Sequence, residues 1–250
     1  MMPHLELLWQ PRPQQWPLTG TDVHVWAANL EQPATRISSL QQILSRLEQA
    51  RAAQFKFEKG RNQFITGRSL LRTILGSYLQ LNPAQLRFQY NARGKPSLES
   101  SSAQGPLHFN VAHSKDLILI AVTRACPVGV DVEHLHPVND FKDIAARFFT
   151  SGETTKLISA PADQQMVAFF NLWTRKEAYL KATGDGISGG LKEVEISCLP
   201  EEPAQILAIS KNEEAAKRWT LSELNPAHGY AAAVAAEAKD LRLSCWQWPL

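Results

Sequence analysis

Residues 129–135 read GVDVEHL, and within them Asp131 and Glu133 alternate with Val130 and Val132. In a strand, alternation with period 2 puts both carboxylates on one face and both valines on the other. Two like charges so placed repel unless water screens them or a cation sits between them. The pair is therefore either a solvated strand face or part of a metal site. A third carboxylate lies in NLWTRKEAYLKATGDG, residues 171–186. Met166, Phe170, Trp173, position 177 and Leu180 recur at helical spacing as one apolar stripe, and position 177 is Glu. A carboxylate on a buried stripe costs on the order of several kcal/mol unless it is partnered. The partner is a cation, a hydrogen-bond donor, or a proton kept by a raised pKa; Lys181, one turn on, is spaced for an ion pair. Three carboxylates with no His or Cys among them suit a hard cation, magnesium or manganese. Magnesium held this way completes its shell with water and substrate phosphate.

Several elements must bring these residues together. VHVWAANL (23–30) reads as a strand, and Ile37, Leu40, Leu44 and Leu47 follow at helical spacing as one amphipathic helix. A second helix carries Phe64, Leu71, Ile74, Leu75 and Tyr78 on one stripe and ends before Asn82-Pro83. LRFQY, LHFNVAHS, LILIAVT and VGVDVE read as successive strands, with a turn at NARGKP. FKDIAARFF returns to helix, and TSGE (150–153) has capping-box spacing for the next one. The longest downstream helix is expected from near Asp163 to Thr183, stopped by Gly184 and Gly186. EVEISC, AQILAI, WTLSEL, GYAAAVAA and LRLSCWQW are strand-like. Without steady βαβ alternation, the fold class expected is α+β.

The 250 residues, 44% apolar and 20% charged, have a globular composition, and no apolar run approaches the roughly 18 residues of a membrane span. The N-terminus lacks the basic and apolar regions of a secretory signal. Cys126, Cys198 and Cys245 are odd in number and widely spaced, which argues against a disulfide framework or zinc site and fits a reducing cytoplasm. From Arg46 to Lys95 the chain carries ten Lys or Arg against two acids, so the net charge of +2 hides a basic block. Such a block is either a solvated helical face or a surface for phosphate, nucleic acid or an acidic protein. It lacks the stacking aromatics or basic-region helix that would favour nucleic acid.

The order FNVAHS, GVDVE, RFFTSGE and WTRKEAYLKATGDG, with GRSLLR and RGKP upstream, resembles the signature of the 4′-phosphopantetheinyl transferase superfamily. The length resembles its surfactin type, and the motifs span roughly residues 55–190. The resemblance implies two similar α+β halves, 1–115 and 116–250, related by a pseudo-twofold with coenzyme A in the cleft between them. The first half would hold the adenosine and phosphate side, the second the metal carboxylates and catalytic helix. It implies transfer of the phosphopantetheine arm to a serine of an acidic apo carrier protein (acyl, peptidyl or polyketide) by a monomeric enzyme, with no nucleic acid or membrane as partner. Asp131, Glu133 and Glu177 would hold magnesium, with manganese as the alternative, and Glu177 or a water it orients would take the serine proton. Lys181 and His113 would contact the phosphates; Lys95 and a cation near Lys59 or Arg61 would grip the adenosine end. Ala112 stands where many members have Ser, and Glu153 has both a capping and a catalytic reading.

Two other chemistries fit parts of the pattern. A metal-dependent phosphodiesterase or nuclease would use the same three carboxylates without a carrier protein. A non-catalytic module would bind an acidic protein through the basic block, but gives no reason for Glu177 on an apolar stripe. His113-Ser114 lacks a G-x-S-x-G elbow, which argues against a serine hydrolase.

Overall fold

The computed structural model describes residues 9–99, 105–184, 186 and 190–249. In chain order they form β1 (Gln10–Pro11), β2 (Asp22–Asn29), α1 (Ala34–Gln41), α2 (Arg46–Ala53), α3 (Glu58–Leu79) and a 3₁₀ turn at Pro83–Gln85. Then come β3 (Phe88–Tyr90), β4 (Pro96–Leu98), β5 (His108–Ser114), β6 (Leu117–Thr123) and β7 (Val128–His134). Helices α4 (Phe141–Phe148), α5 (Ser151–Ser159) and α6 (Gln165–Thr183) follow. The chain closes with β8 (Val194–Ile196), β9 (Ile206–Ile209), α7 (Glu213–Ala216), β10 (Thr220–Leu224), β11 (Tyr230–Ala236) and β12 (Arg242–Gln247).

Two sheets carry the architecture, one ordered β1-β12-β2-β6-β5 and the other β10-β11-β7. Alternation along the strands divides the apolar side chains between three core layers. Trp26, Ala28, Ile118, Ile120 and Val122 face α3, meeting Leu70, Leu71, Ile74 and Leu75. Val23, Val25, Leu119 and Ala121, on the opposite face, meet Val130, Val132, Ala232 and Val234 of the second sheet. The outer face of that second sheet presents Ala231, Ala233 and Ala235 to α6. The order is thus helix, sheet, sheet, helix, an α+β arrangement. The division expected at residue 115 falls in the turn between β5 and β6, which pair antiparallel in one sheet. β12 also belongs to that first sheet, lying parallel to β2 on one side and β1 on the other.

The helix expected across Ile37–Leu47 is two helices. Ser45 opens α2 with a capping box: its hydroxyl accepts from the Glu48 amide and the Glu48 carboxylate accepts from the Ser45 amide. Leu47 is then 84% exposed, while Glu48 is buried between Arg68 (2.6 Å) and Arg72 (2.7 Å) of α3. TSGE caps as expected, with Thr150 and Glu153 reciprocally bonded at the start of α5. The stripe expected on α6 is too narrow a description, because the helix is buried around nearly its whole girth from Ala168 to Ala182.

Gly129 explains how α6 lies so close to β7. A Cβ at that position would stand 2.0 Å from the Ala178 carbonyl oxygen and 2.4 Å from the Ala182 amide nitrogen. Helix and strand therefore meet backbone to backbone. Gly129→Ala should lift the helix and cost at least about 3 kcal/mol, beyond ordinary overpacking. Urea unfolding followed by tryptophan fluorescence measures this; a loss below about 1 kcal/mol would show that α6 can shift freely.

Candidate active site

The close seat of α6 on β7 decides which residues meet. Asp131 and Glu133 pair in register with Ala233 and Ala231 on the alanine face, the face that α6 covers. Lys181 of α6 donates to Asp131 Oδ1 at 2.5 Å and to the Val130 carbonyl at 3.3 Å. Asp131 Oδ2 and Glu177 Oε1 are both buried without a hydrogen-bond partner. Glu133 lies farther out, its Oε2 accepting from the Ser114 hydroxyl at 2.8 Å. The two acids of β7 are thus not a solvated face: Asp131 is buried under a helix with one oxygen on an ammonium group.

Crowding of carboxylates in a dry setting shows in their protonation. Burial pushes Asp131 up to about 7, with Glu177 and Glu133 adding to the rise and Lys181 opposing it. Glu177 is raised too, chiefly by burial, with Lys181 opposing and Glu133 adding. Lys95 and His113 are lowered, each first by burial and then by the Lys181 charge, which Glu133 partly offsets at His113. Among the described residues, no three His, Cys, Asp or Glu side chains are gathered closely enough to enclose a metal. Yet the two unpartnered carboxylate oxygens and the raised carboxyls are what a hard cation would relieve, so the donor set fits one.

Two cavities open beside this cluster. One, of about 290 Å³, is lined by Arg93, Lys95, Asn110, Glu177 and Lys181. The other, of about 400 Å³, is lined by Arg51, Phe64, Arg68, Tyr90 and His113, and the two share Gly94, Pro96 and Val111. The RGKP turn crosses from the first sheet's side to the end of α6, where Lys95 donates to the Lys181 carbonyl and Arg93 to that of Gly184 (3.3 Å). Cations suit the carbonyl end of a helix. Of the residues singled out in the sequence, Asp131, Glu177, Lys181 and Lys95 come together, with Glu133 and His113 alongside. Lys59 and Arg61 line neither cavity. Lys59 pairs with Glu31 (2.8 Å) and Asp116 (3.0 Å), which push it up to about 12, and Arg61 lies 3.7 Å from Glu58 in a separate depression beside α1.

The long motif on α6 has two jobs. Glu177 and Lys181 face the site, while Lys176 points the other way and is wholly buried. Its ammonium pairs with Glu153 (2.8 Å) and donates to the carbonyls of Leu191 and Val194. Glu153 also accepts from the Ile196 amide, so every contact it makes here is structural. Ala112 faces Val130 and Val132 in the core between the sheets, whereas Val111 and His113 face the cavities. Sequence reading gave no site role to Arg51, Asn110 or Ser114. Arg51 belongs to the basic block and the two polar residues of β5 to FNVAHS, but their partners are remote in the chain.

Comparison with known proteins gives the family. The description "4′-phosphopantetheinyl transferase superfamily" attaches to a family model matching residues 127–235, and "4′-phosphopantetheinyl transferase, N-terminal" to one matching 26–125. The 4′-phosphopantetheinyl transferase HetI of Nostoc sp. is 41% identical over 244 residues, 98% of this chain and 100% of that protein. The chain belongs to the 4′-phosphopantetheinyl transferase superfamily. A putative 4′-phosphopantetheinyl transferase of Synechocystis sp. is 35% identical over 79% of this chain and 78% of its own length. The 4′-phosphopantetheinyl transferase Sfp of Bacillus subtilis is 30% identical over 54% of this transferase and 58% of its own length. Within this transferase the two family segments meet at residues 125 to 127, just before β7.

Neighbouring motif residues should therefore fail differently. Lys176→Met leaves Glu153 buried and unpaired and should cost about 3–5 kcal/mol of stability. Glu177→Gln removes a poorly partnered buried charge and should leave stability within about 1 kcal/mol of wild type or above it. Urea denaturation of both variants decides. The pH dependence follows the sign of the Asp131 shift. A carboxyl raised in the folded state contributes stability that is complete below its unfolded value, about 4, and lost as pH rises through about 7. In EDTA, stability of the wild type should fall over that window relative to Asp131→Asn. Parallel pH profiles of the two would contradict the assignment.

Proposed function

We propose that this transferase moves the 4′-phosphopantetheine arm of coenzyme A to a serine of an apo acyl, peptidyl or polyketide carrier protein, releasing adenosine 3′,5′-bisphosphate. The observation that carries the reading is a cavity where the incompletely partnered Glu177 meets three cations, Arg93, Lys95 and Lys181, with the equally incomplete Asp131 behind it on Lys181. A pyrophosphate needs such counter-charge, and a hydroxyl nucleophile needs such a base. In the reaction the serine oxygen forms a bond to the phosphorus bearing pantetheine, the pyrophosphate P–O bond breaks, and the bisphosphate leaves with the electron pair.

Each residue then has a task. Glu177 accepts the serine proton, directly or through a water; its raised pKa makes it the stronger base once ionised. Lys181 and Lys95 balance charge on the pyrophosphate, and that anion would restore to Lys95 the proton affinity that burial removes. His113, lowered by its surroundings, is neutral near pH 7 and offers a hydrogen bond to phosphate rather than a charge. Asp131, Glu133 and Glu177 would hold magnesium or manganese, which when bound neutralises the pyrophosphate and stabilises the leaving bisphosphate. The adenosine end has room in the larger cavity, which Arg51 and His113 line and Lys59 does not. The basic block suits an acidic carrier protein, and a single chain supplies both sides of the cleft, consistent with a monomer.

Intact-mass analysis of an apo carrier protein incubated with this protein, coenzyme A and Mg²⁺ tests the reading. A gain of one phosphopantetheine is expected, abolished by EDTA and by Glu177→Gln. Adenosine phosphates released from coenzyme A without modification of any carrier would overturn it in favour of a hydrolase.

A further inference from the structure

We infer that Ser114 is the positioning residue for Glu133, holding that carboxylate toward the cation through a hydrogen bond made across the seam between the two sheets. This rests on the reading of Glu133 as a metal ligand given above.

β5 and β7 run side by side in the same direction, at the edges of their respective sheets. Side chains bridge the gap between them. Asn110 Oδ1 accepts from the Val130 amide (2.9 Å) and Ser114 Oγ from the His134 amide (3.1 Å), at one constant offset of 20 residues. Asn110, Ala112 and Ser114 occupy alternate positions of β5 and so share the face turned to β7. Asn110 and Ser114 thereby take the place of backbone ladder bonds, with the small Ala112 between them.

The Ser114 hydroxyl has one hydrogen. Its oxygen already accepts from the His134 amide, so that hydrogen is left for Glu133 Oε2, which lies 2.8 Å away. Strand β5 in this way fixes the direction of a carboxylate that belongs to β7. Of the three acids Glu133 is the least buried, and the Lys181 ammonium that holds Asp131 makes no salt bridge to it. Without Ser114 its two-methylene side chain would be free to turn toward solvent. The same commitment removes Ser114 from the role of nucleophile that its place after His113 suggests.

Residues that orient a metal's ligands cost about 10- to 100-fold in metal affinity when removed. Titration of Mn²⁺ by electron paramagnetic resonance, without coenzyme A, should show Ser114→Ala binding at least about 10-fold more weakly than wild type, with Ser114→Thr restoring affinity. The Mg²⁺ concentration for half-maximal transfer should rise by the same factor, while the carrier KM at saturating Mg²⁺ stays unchanged. In a Glu133→Gln background, Ser114→Ala should cause no further loss, because it acts through that carboxylate. Should Ser114→Ala fail to fold, as judged by circular dichroism, the near-isosteric Ser114→Cys, a poorer donor, decides on the same titration. Wild-type Mn²⁺ affinity in the Ala or Cys variant, or an additive loss in the double variant, overturns this inference and leaves the transferase standing. A wild-type protein that binds no Mn²⁺ overturns the metal reading and this inference with it.

Discussion

Backbone-to-backbone contact between α6 and β7 at Gly129 is the constraint on which the site depends. A side chain of any size there would separate the two elements. The alanines of β11 continue the same flat surface, so the helix settles on a sheet almost without relief. That closeness brings Lys181 within reach of Asp131 and buries Glu177 beside it. Away from the cleft the helix is tied down by the Lys176–Glu153 pair and, toward β10, by Arg175, which donates to Glu223 at 2.6 Å. The helix is gripped from both sides, and its exposed chemistry is confined to the cleft.

The carboxylates of the site are unlike the buried Glu48 and Glu153 in how they are matched. Glu48 has two guanidinium groups and a backbone amide; Glu153 has an ammonium and two amides. Both are fully served, as buried carboxylates must be. Asp131 and Glu177 each keep a buried oxygen with nothing on it. A fold that satisfies its structural acids so thoroughly leaves these two deficient beside the cleft, which suits the binding proposed for them. Such local disfavour is the usual mark of a preorganised binding centre.

Much of this was legible in the chain. Alternation in GVDVEHL located both acids on one strand face, and helical spacing marked Glu177 as a buried carboxylate, though α6 is buried on nearly every side. Both readings use only neighbours within a turn or two. What failed needed partners from afar. Leu47 matches the spacing of Ile37, Leu40 and Leu44, yet the Ser45 cap restarts the helix because Glu48 must reach Arg68 and Arg72. Lys59 reads as an anion-binding cation, and the chain gives no sign that Glu31 and Asp116 lie beside it. Asn110 and Ser114 carry no periodic signal, since each serves a strand 20 residues away.

The position of β12 bears on how the molecule comes to exist in time. It is the last strand among the described residues, yet it lies against β2, an early one, with Arg242 and Asp22 joined across 220 residues of chain. During translation β2 can pair with β6 as soon as the hairpin emerges, but its other edge stays open until the ribosome has made residues 242–247. Parallel pairing over so long a loop is among the slower steps of folding, and an open edge invites unwanted strands meanwhile. Closure of the first sheet therefore waits until residues 242–247 have been made, long after β2 and β6 have left the ribosome.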